Sequence, residues 1–139
     1  MAQSTGSGTA SVVFDDVALT VSVNESFANL VNPASAAHIH CCTAVAFTGS
    51  SGVSVGFSGF PPAQAGTYIN TFTLAPGAFG TLLAGTQAGK AYVNIHSAAP
   101  YGGGEVRGFL VPVPEPGTYA LMMAGLGLLG LAARRRHAA

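Results

Sequence analysis

A two-residue alternation, repeated in short pieces, limits what this chain can fold into. Between Val17 and Val23, Val17, Leu19, Val21 and Val23 take one side, and Ala18, Thr20 and Ser22 take the other. Successive side chains of a strand point to opposite faces, so this period predicts a half-buried strand and not a helix. Ser11–Phe14 reads as its hairpin partner across Asp15-Asp16. Asn32-Pro33 marks a turn. Residues 38–47 read as a strand, with Ile39, Cys41, Val45 and Phe47 on one parity and His38, His40 and Cys42 on the other. Val53–Phe57 and Tyr68–Leu74 come next, the second after the breakers Pro61, Pro62 and Gly66. Lys90–His96 and Glu105–Val111 complete the series, joined by a loop holding Gly102, Gly103 and Gly104. Leu82–Ala88 is the one helical stretch of the body, closed by Gly89 as the residue after the helix. About six or seven strands and one short helix predict an all-β, antiparallel sandwich or barrel.

Composition narrows the function classes. Charged residues are only 7%, against roughly 25% in an average soluble domain. Hydrophobic residues are 49%, which excludes a solvating disordered chain. Formal net charge is zero and no basic stripe exists, which excludes nucleic acid as a partner. The few charges divide unevenly. Up to residue 112, Asp15, Asp16, Glu25 and Glu105 outweigh Lys90 and Arg107 by two. Beyond it, Arg134, Arg135 and Arg136 outweigh Glu115 by two.

The tail is therefore a different object from the body. Thr118 to Ala133 carries no charge, and the three arginines come at once after it. As a helix this stretch is roughly 24 Å long. A membrane span needs about 20 residues, with a lower limit near 17, which Pro116 and Gly117 bring within reach. Apolar residues all round the helix suit lipid. Basic flanks stay cytoplasmic, so residues 134–139 form a cytoplasmic tail and the body lies outside. The start, up to Asp16, shows neither a basic n-region nor an apolar h-region of a signal peptide. The two ends agree if the chain begins downstream of the true start, and an in-frame stop codon directly before Met1 would exclude that. Residues 1–8, with Ser4-Thr5-Gly6-Ser7-Gly8, read as a flexible lead-in. Residues 9–111 are the β domain, 112–117 a Pro-rich linker and 118–133 the transmembrane helix.

The order Pro114-Glu115-Pro116, apolar stretch, arginine cluster resembles the PEP-CTERM sorting signal of Gram-negative bacteria. The resemblance implies recognition by an exosortase and cleavage near Pro114–Pro116. Prolines keep such a stretch extended and unpaired, as a processing enzyme requires. It also implies an inner-membrane precursor whose body ends in the envelope or an exopolysaccharide matrix.

The body carries Ala37-His38-Ile39-His40-Cys41-Cys42, then Gly89-Lys90-Ala91-Tyr92-Val93-Asn94-Ile95-His96-Ser97, then Tyr101 and Gly103-Gly104-Glu105-Val106-Arg107-Gly108. In this order the blocks resemble the CHRD domain, over roughly residues 8–111. The resemblance implies an immunoglobulin-like β fold without enzymatic activity. A strand before Gly8 and a longer segment between Leu74 and Leu82 are usual in that family, which implies a truncated, shortened member.

Residues two apart on a strand share a face. His38 with His40, Asn94 with His96, and Glu105 with Arg107 therefore form one polar cluster if their strands are neighbours. Two alternatives stay open for it. In one, His38, His40 and His96 bind Zn²⁺ or Cu²⁺, since imidazole suits both, and the domain is redox-active or hydrolytic. In the other, the histidines and Asn94 tie down loop backbone, and Glu105 pairs with Arg107 or Lys90. The adjacent Cys41 and Cys42 admit a strained ring between them, an intermolecular bridge, a buried Cys41 thiol, or Cys42 as a further ligand. Gly102–Gly104 is a hairpin loop and not a phosphate cradle, because no helix comes after it. No catalytic residue is assigned. The expected function is a non-enzymatic structural or adhesive module of the envelope or matrix.

Overall fold

Valine, isoleucine, threonine and aromatic residues favour the pleated, half-buried surface of a sheet. In the computed structural model, which describes residues 4–113, 121–126, 128 and 129, such stretches form seven strands, with one helix between the fifth and the sixth. The order is β1 (Ser7–Asp15), β2 (Thr20–Ala28), β3 (Ala34–His40), β4 (Val53–Gly56), β5 (Gly66–Thr73), α1 (Pro76–Gln87), β6 (Tyr92–Ser97) and β7 (Val106–Phe109). They make two antiparallel sheets, β1-β2-β5 and β4-β3-β6-β7. Val21, Val23 and Phe27 of β2 share one core with Ala37 and Ile39 of β3 and with Val93 and Ile95 of β6. Phe79 and Leu82 of α1 belong to the same core. The layers are two open sheets, not a closed barrel.

Several expected boundaries move, each for a physical reason. Val17 and Leu19 match the alternation by residue type but belong to the turn. The Asp15 carboxylate accepts the backbone N–H groups of Val17 and Ala18 at 3.0 and 2.8 Å, the usual way an aspartate closes a turn. Val17 is 91% exposed. β2 starts at Thr20 instead and runs on to Ala28, because Glu25 takes an inward position that sequence patterning reserves for apolar residues. Ser7 and Gly8, expected in the lead-in, open β1 and pair with Ala28 and Phe27. Ser4 and Thr5 are held by Glu105 and by the Asn29 carbonyl. The helix begins at Pro76, six residues before the expected Leu82, with the proline in the first turn where its missing N–H costs nothing. It ends as expected beside Gly89, whose φ is +67°.

The largest change comes after His40. The strand expected over residues 38–47 stops there. Cys41 and Cys42 are bonded to each other across a cis peptide, and two bonded neighbours cannot point to opposite faces of a strand. Residues 41–52 instead leave the sheet and fold over its outer face. Thr43 and Phe47 donate backbone bonds to Lys90 and Gly89 at 3.0 and 2.7 Å.

In the tail, residues 121–126, 128 and 129 are helical. Among the described residues no helix is long and apolar enough to cross a membrane. The expected span over 118–133 lies partly outside the described residues. Pro114, Glu115, Pro116, Arg134, Arg135 and Arg136 lie outside them altogether.

Candidate functional site

The outward parity of β3 and β6 builds the site. His40 stands opposite Tyr92, His38 opposite Asn94, and Ala36 opposite His96. Next along the sheet, Asn94 stands opposite Arg107 of β7. An outer sheet face normally meets water, but Tyr92, Asn94 and His40 are only 3%, 4% and 8% exposed. The loop 41–52 supplies part of their cover, and the loop 98–104 returns from the end of β6.

Three imidazoles meet there. Ring centroids are 5.0 Å apart for His38–His96, 5.5 Å for His38–His40 and 5.9 Å for His40–His96. One ring nitrogen of each histidine lies within 4.8 Å of one nitrogen of each of the others. Backbone carbonyls decide the tautomers. His40 Nδ1 lies 2.9 Å from the Ser51 carbonyl and His96 Nδ1 lies 2.9 Å from that of Gly102. A carbonyl only accepts, so each Nδ1 carries a proton, and in the neutral ring each Nε2 keeps the lone pair. The Asn94 amide donates to His96 Nε2 and to the Gly103 carbonyl, each at 3.3 Å. Burial first, then the neighbouring His96 and His40, pushes the His38 pKa below its ordinary value, which favours the neutral ring.

Further residues clamp this arrangement. The Tyr92 ring stacks on His40 at 4.8 Å with 1° between planes. Its hydroxyl meets Ser51 N–H at 3.2 Å. The Arg107 guanidinium sits 3.8 Å from the Tyr92 ring centroid and 4.8 Å from that of Phe109, and donates to the Gly49 carbonyl. Gly104, at φ +123°, passes so close to Asn94 that an added Cβ would strike its carboxamide. Tyr92, Ser51 and Gly104 were not among the expected site residues. Tyr92 shares its parity with Asn94 and His96, a signal open to sequence reading. Ser51 and Gly104 arrive only through loop closure.

Of the six residues expected to cluster, His38, His40, Asn94 and His96 do so. Arg107 lies beside them, engaged with rings and backbone. Glu105 leaves the group, because it precedes β7 and its N–H bonds the Ile95 carbonyl at 2.7 Å. Its carboxylate instead accepts from Ser4 Oγ at 2.8 Å, from Val31 N–H at 2.6 Å and from Ser97 Oγ. Burial opposes its ionisation, but those bonds, with a further one from the Asn32 backbone, together hold the Glu105 pKa below its usual value. The expected pairing with Arg107 or Lys90 therefore gives way to a tie between the start of the chain, the β2–β3 connection and β6. Cys42 is no fourth ligand, being bonded to Cys41. The two sulfurs pack against α1, where a Cβ on Gly85 would meet both. Gly52-Val53-Ser54-Val55-Gly56 has the G-x-S-x-G spacing of a nucleophile elbow. It runs along β4 and does not turn from strand to helix, so the required context is missing.

The CHRD domain family model matches residues 1–110, so it contains both strands and both loops of this site. The chain belongs to the CHRD family. A second model, the PEP-CTERM protein-sorting motif, matches residues 112–136. The CHRD domain and the sorting motif thus abut with one residue between them. The sorting motif implies an exported protein that an exosortase processes. No curated protein and no solved structure matches the chain.

Proposed function

We propose that this CHRD protein is a non-enzymatic structural or binding module of the cell envelope or extracellular matrix. Exosortase releases it from a precursor held in the inner membrane by residues 118–133, with Arg134–Arg136 on the cytoplasmic side. One observation carries this reading: among the described residues, the last strand and the last core residue come before the motif begins. β7 ends at Phe109, and Leu110 donates a backbone bond to Ala91 at 3.0 Å. The motif starts at residue 112. Cleavage near Pro114–Pro116 then removes no strand and no core residue among those described.

The outer face of the β1-β2-β5 sheet suits contact with a hydroxyl-rich matrix polymer such as an exopolysaccharide. Thr9 and Ser26 pair their hydroxyls at 2.9 Å, and Ser22 and Thr71 at 2.8 Å. Ser11 and Thr67 continue the pattern on the exposed face. Such a surface offers donors and acceptors without the counter-charge a charged polymer would need.

Intact-mass analysis of the protein from membrane and secreted fractions of its native host tests the release. A secreted species lacking the residues beyond the Pro114–Pro116 region is the expected result. A full-length species retained in the membrane would make the tail a permanent anchor and end this reading.

A further inference from the structure

We infer that His38, His40 and His96 form a binding centre for one divalent transition-metal ion, Zn²⁺ or Cu²⁺. It is a site on the opposite sheet from the hydroxyl face and independent of how the protein is sorted.

Three observations carry it. First, the donor set is right. Neutral imidazole binds Zn²⁺ and Cu²⁺, and with Nδ1 of His40 and His96 bonded to carbonyls their neutral rings keep the ligating lone pair on Nε2. Metal-bound histidines commonly donate the other ring N–H to a carbonyl or carboxylate. His40 and His96 make that bond already, to Ser51 and Gly102.

Second, buried polar atoms without a protein partner surround the cluster. His40 is more than nine-tenths buried, yet its Nε2 has no hydrogen-bond partner. His38 Nδ1 is likewise buried and unpartnered. Asn94 Oδ1 and Ser51 Oγ, on residues that touch the same rings, are in the same condition. Buried polar atoms in native proteins are nearly always paired, and a group that is not points to an ion or water. Four of the six such atoms found among the described residues gather here. If the histidines only tied down loops, the Nδ1 bonds of His40 and His96 would suffice, and nothing would bring a nitrogen of His38 beside theirs.

Third, the geometry is close to what an ion needs. Metal–nitrogen bonds of about 2.0–2.1 Å put the nitrogens of a tetrahedral site about 3.3 Å apart. The present spread of up to 4.8 Å closes by ring rotation, with Asn94 releasing His96 Nε2. The Tyr92 stack and the Ser51 carbonyl hold His40 still, so His38 and His96 make the adjustment. Three protein ligands leave one coordination position open, as exchangeable sites do. Glu105 is tied elsewhere and Cys42 is bonded to Cys41, so the fourth ligand comes from solvent or a bound molecule.

The test uses the full chain in detergent, stripped with chelator and titrated separately with Zn²⁺ and Cu²⁺. One ion per chain is expected from at least one metal, and the stronger binder identifies the ion. His38→Ala and His96→Gln, both at half-buried positions, should each weaken binding by about a hundredfold or more, since even losses outside the ligand shell cost 10- to 100-fold. The fourth histidine of the chain, His137 in the tail, supplies the control. His137→Ala should change nothing. If a ligand variant fails to fold, the electron paramagnetic resonance spectrum of the Cu²⁺-loaded wild type decides, because coordinated imidazole nitrogens split its lines. Absence of stoichiometric ion at micromolar supply of either metal would overturn the site. So would binding that survives both ligand variants or disappears with His137→Ala.

Discussion

On the outer face of the β1-β2-β5 sheet, Thr9, Ser11, Ser26 and Ile69 stand in solvent. On the outer face of the β4-β3-β6-β7 sheet, His40, Tyr92 and Asn94 are more than nine-tenths buried. Both faces arise from the same alternation of inward apolar and outward polar residues. They differ in the connections between their strands. The β1–β2 connection is a tight turn closed by the Asp15 carboxylate. The β3–β4 connection is long enough to lie back across its own sheet. A polar face in water can use any hydroxyl or amide, because solvent satisfies it. A polar face under a loop must find protein partners or a ligand. Ring nitrogens without partners therefore acquire meaning on one face and would have none on the other.

The sharpest way to break this contrast is to remove the ring that supports the covered face. Tyr92→Ala should cost about 3–5 kcal/mol in urea unfolding, the usual range for deleting a buried aromatic side chain. Arg107 and His40 would lose their shared neighbour, so an unchanged unfolding midpoint would deny that the loop-covered face is packed like a core.

Glu25 tests the layer between the two faces. It sits 3% exposed on the inward side of β2, with Oε2 unpartnered, and burial pushes its pKa from 4.5 up to about 7. The sign comes from linkage. A carboxyl whose folded pKa is raised holds its proton more tightly in the folded state. The fold is therefore favoured in full below pH 4.5 and loses that contribution as pH rises through about 7. Glu25→Gln should stabilise the protein by about 1–3 kcal/mol at pH 8, with the gain vanishing near pH 4. Denaturant melts at the two pH values read it. A gain that is the same at both would assign the effect to packing.

Gly104→Ala probes the close approach at the loop. Its φ of +123° and the carboxamide of Asn94 both oppose a side chain, and about 1–3 kcal/mol of strain is expected. Loss of the distinct His96 imidazole signals by NMR would show that the displaced Asn94 takes the ring with it. Unchanged signals would separate the loop from the cluster.

The smallest effect belongs to the open face. Ile69, 76% exposed, should change stability by no more than about 0.5 kcal/mol when replaced by alanine. A loss near that of Tyr92→Ala would mean that the open face is covered in solution.

Much of the fold was legible in the residues themselves. The inward alternation of Val21 with Val23, and of Val93 with Ile95, needs only the two-residue period of a strand. Gly89 marked the helix end because few other residues tolerate a positive φ. Local chemistry hid the errors. Val17 and Leu19 look like strand residues until Asp15 caps the turn. Glu25 breaks the apolar pattern of a strand that continues past it.

For the candidate site, sequence by itself determined which side chains share a parity: His38 with His40, and Tyr92 with Asn94 and His96. Spacing along one strand is a local property, set by the pleat. Only the tertiary structure decided that β3 and β6 are neighbours in this register, that Glu105 turns away to the start of the chain, and that Ser51 and Gly102 supply the carbonyls that set two tautomers. Those contacts join residues far apart in the chain. Pairing between strands and the closing of loops select them, and no pattern within a single segment encodes either.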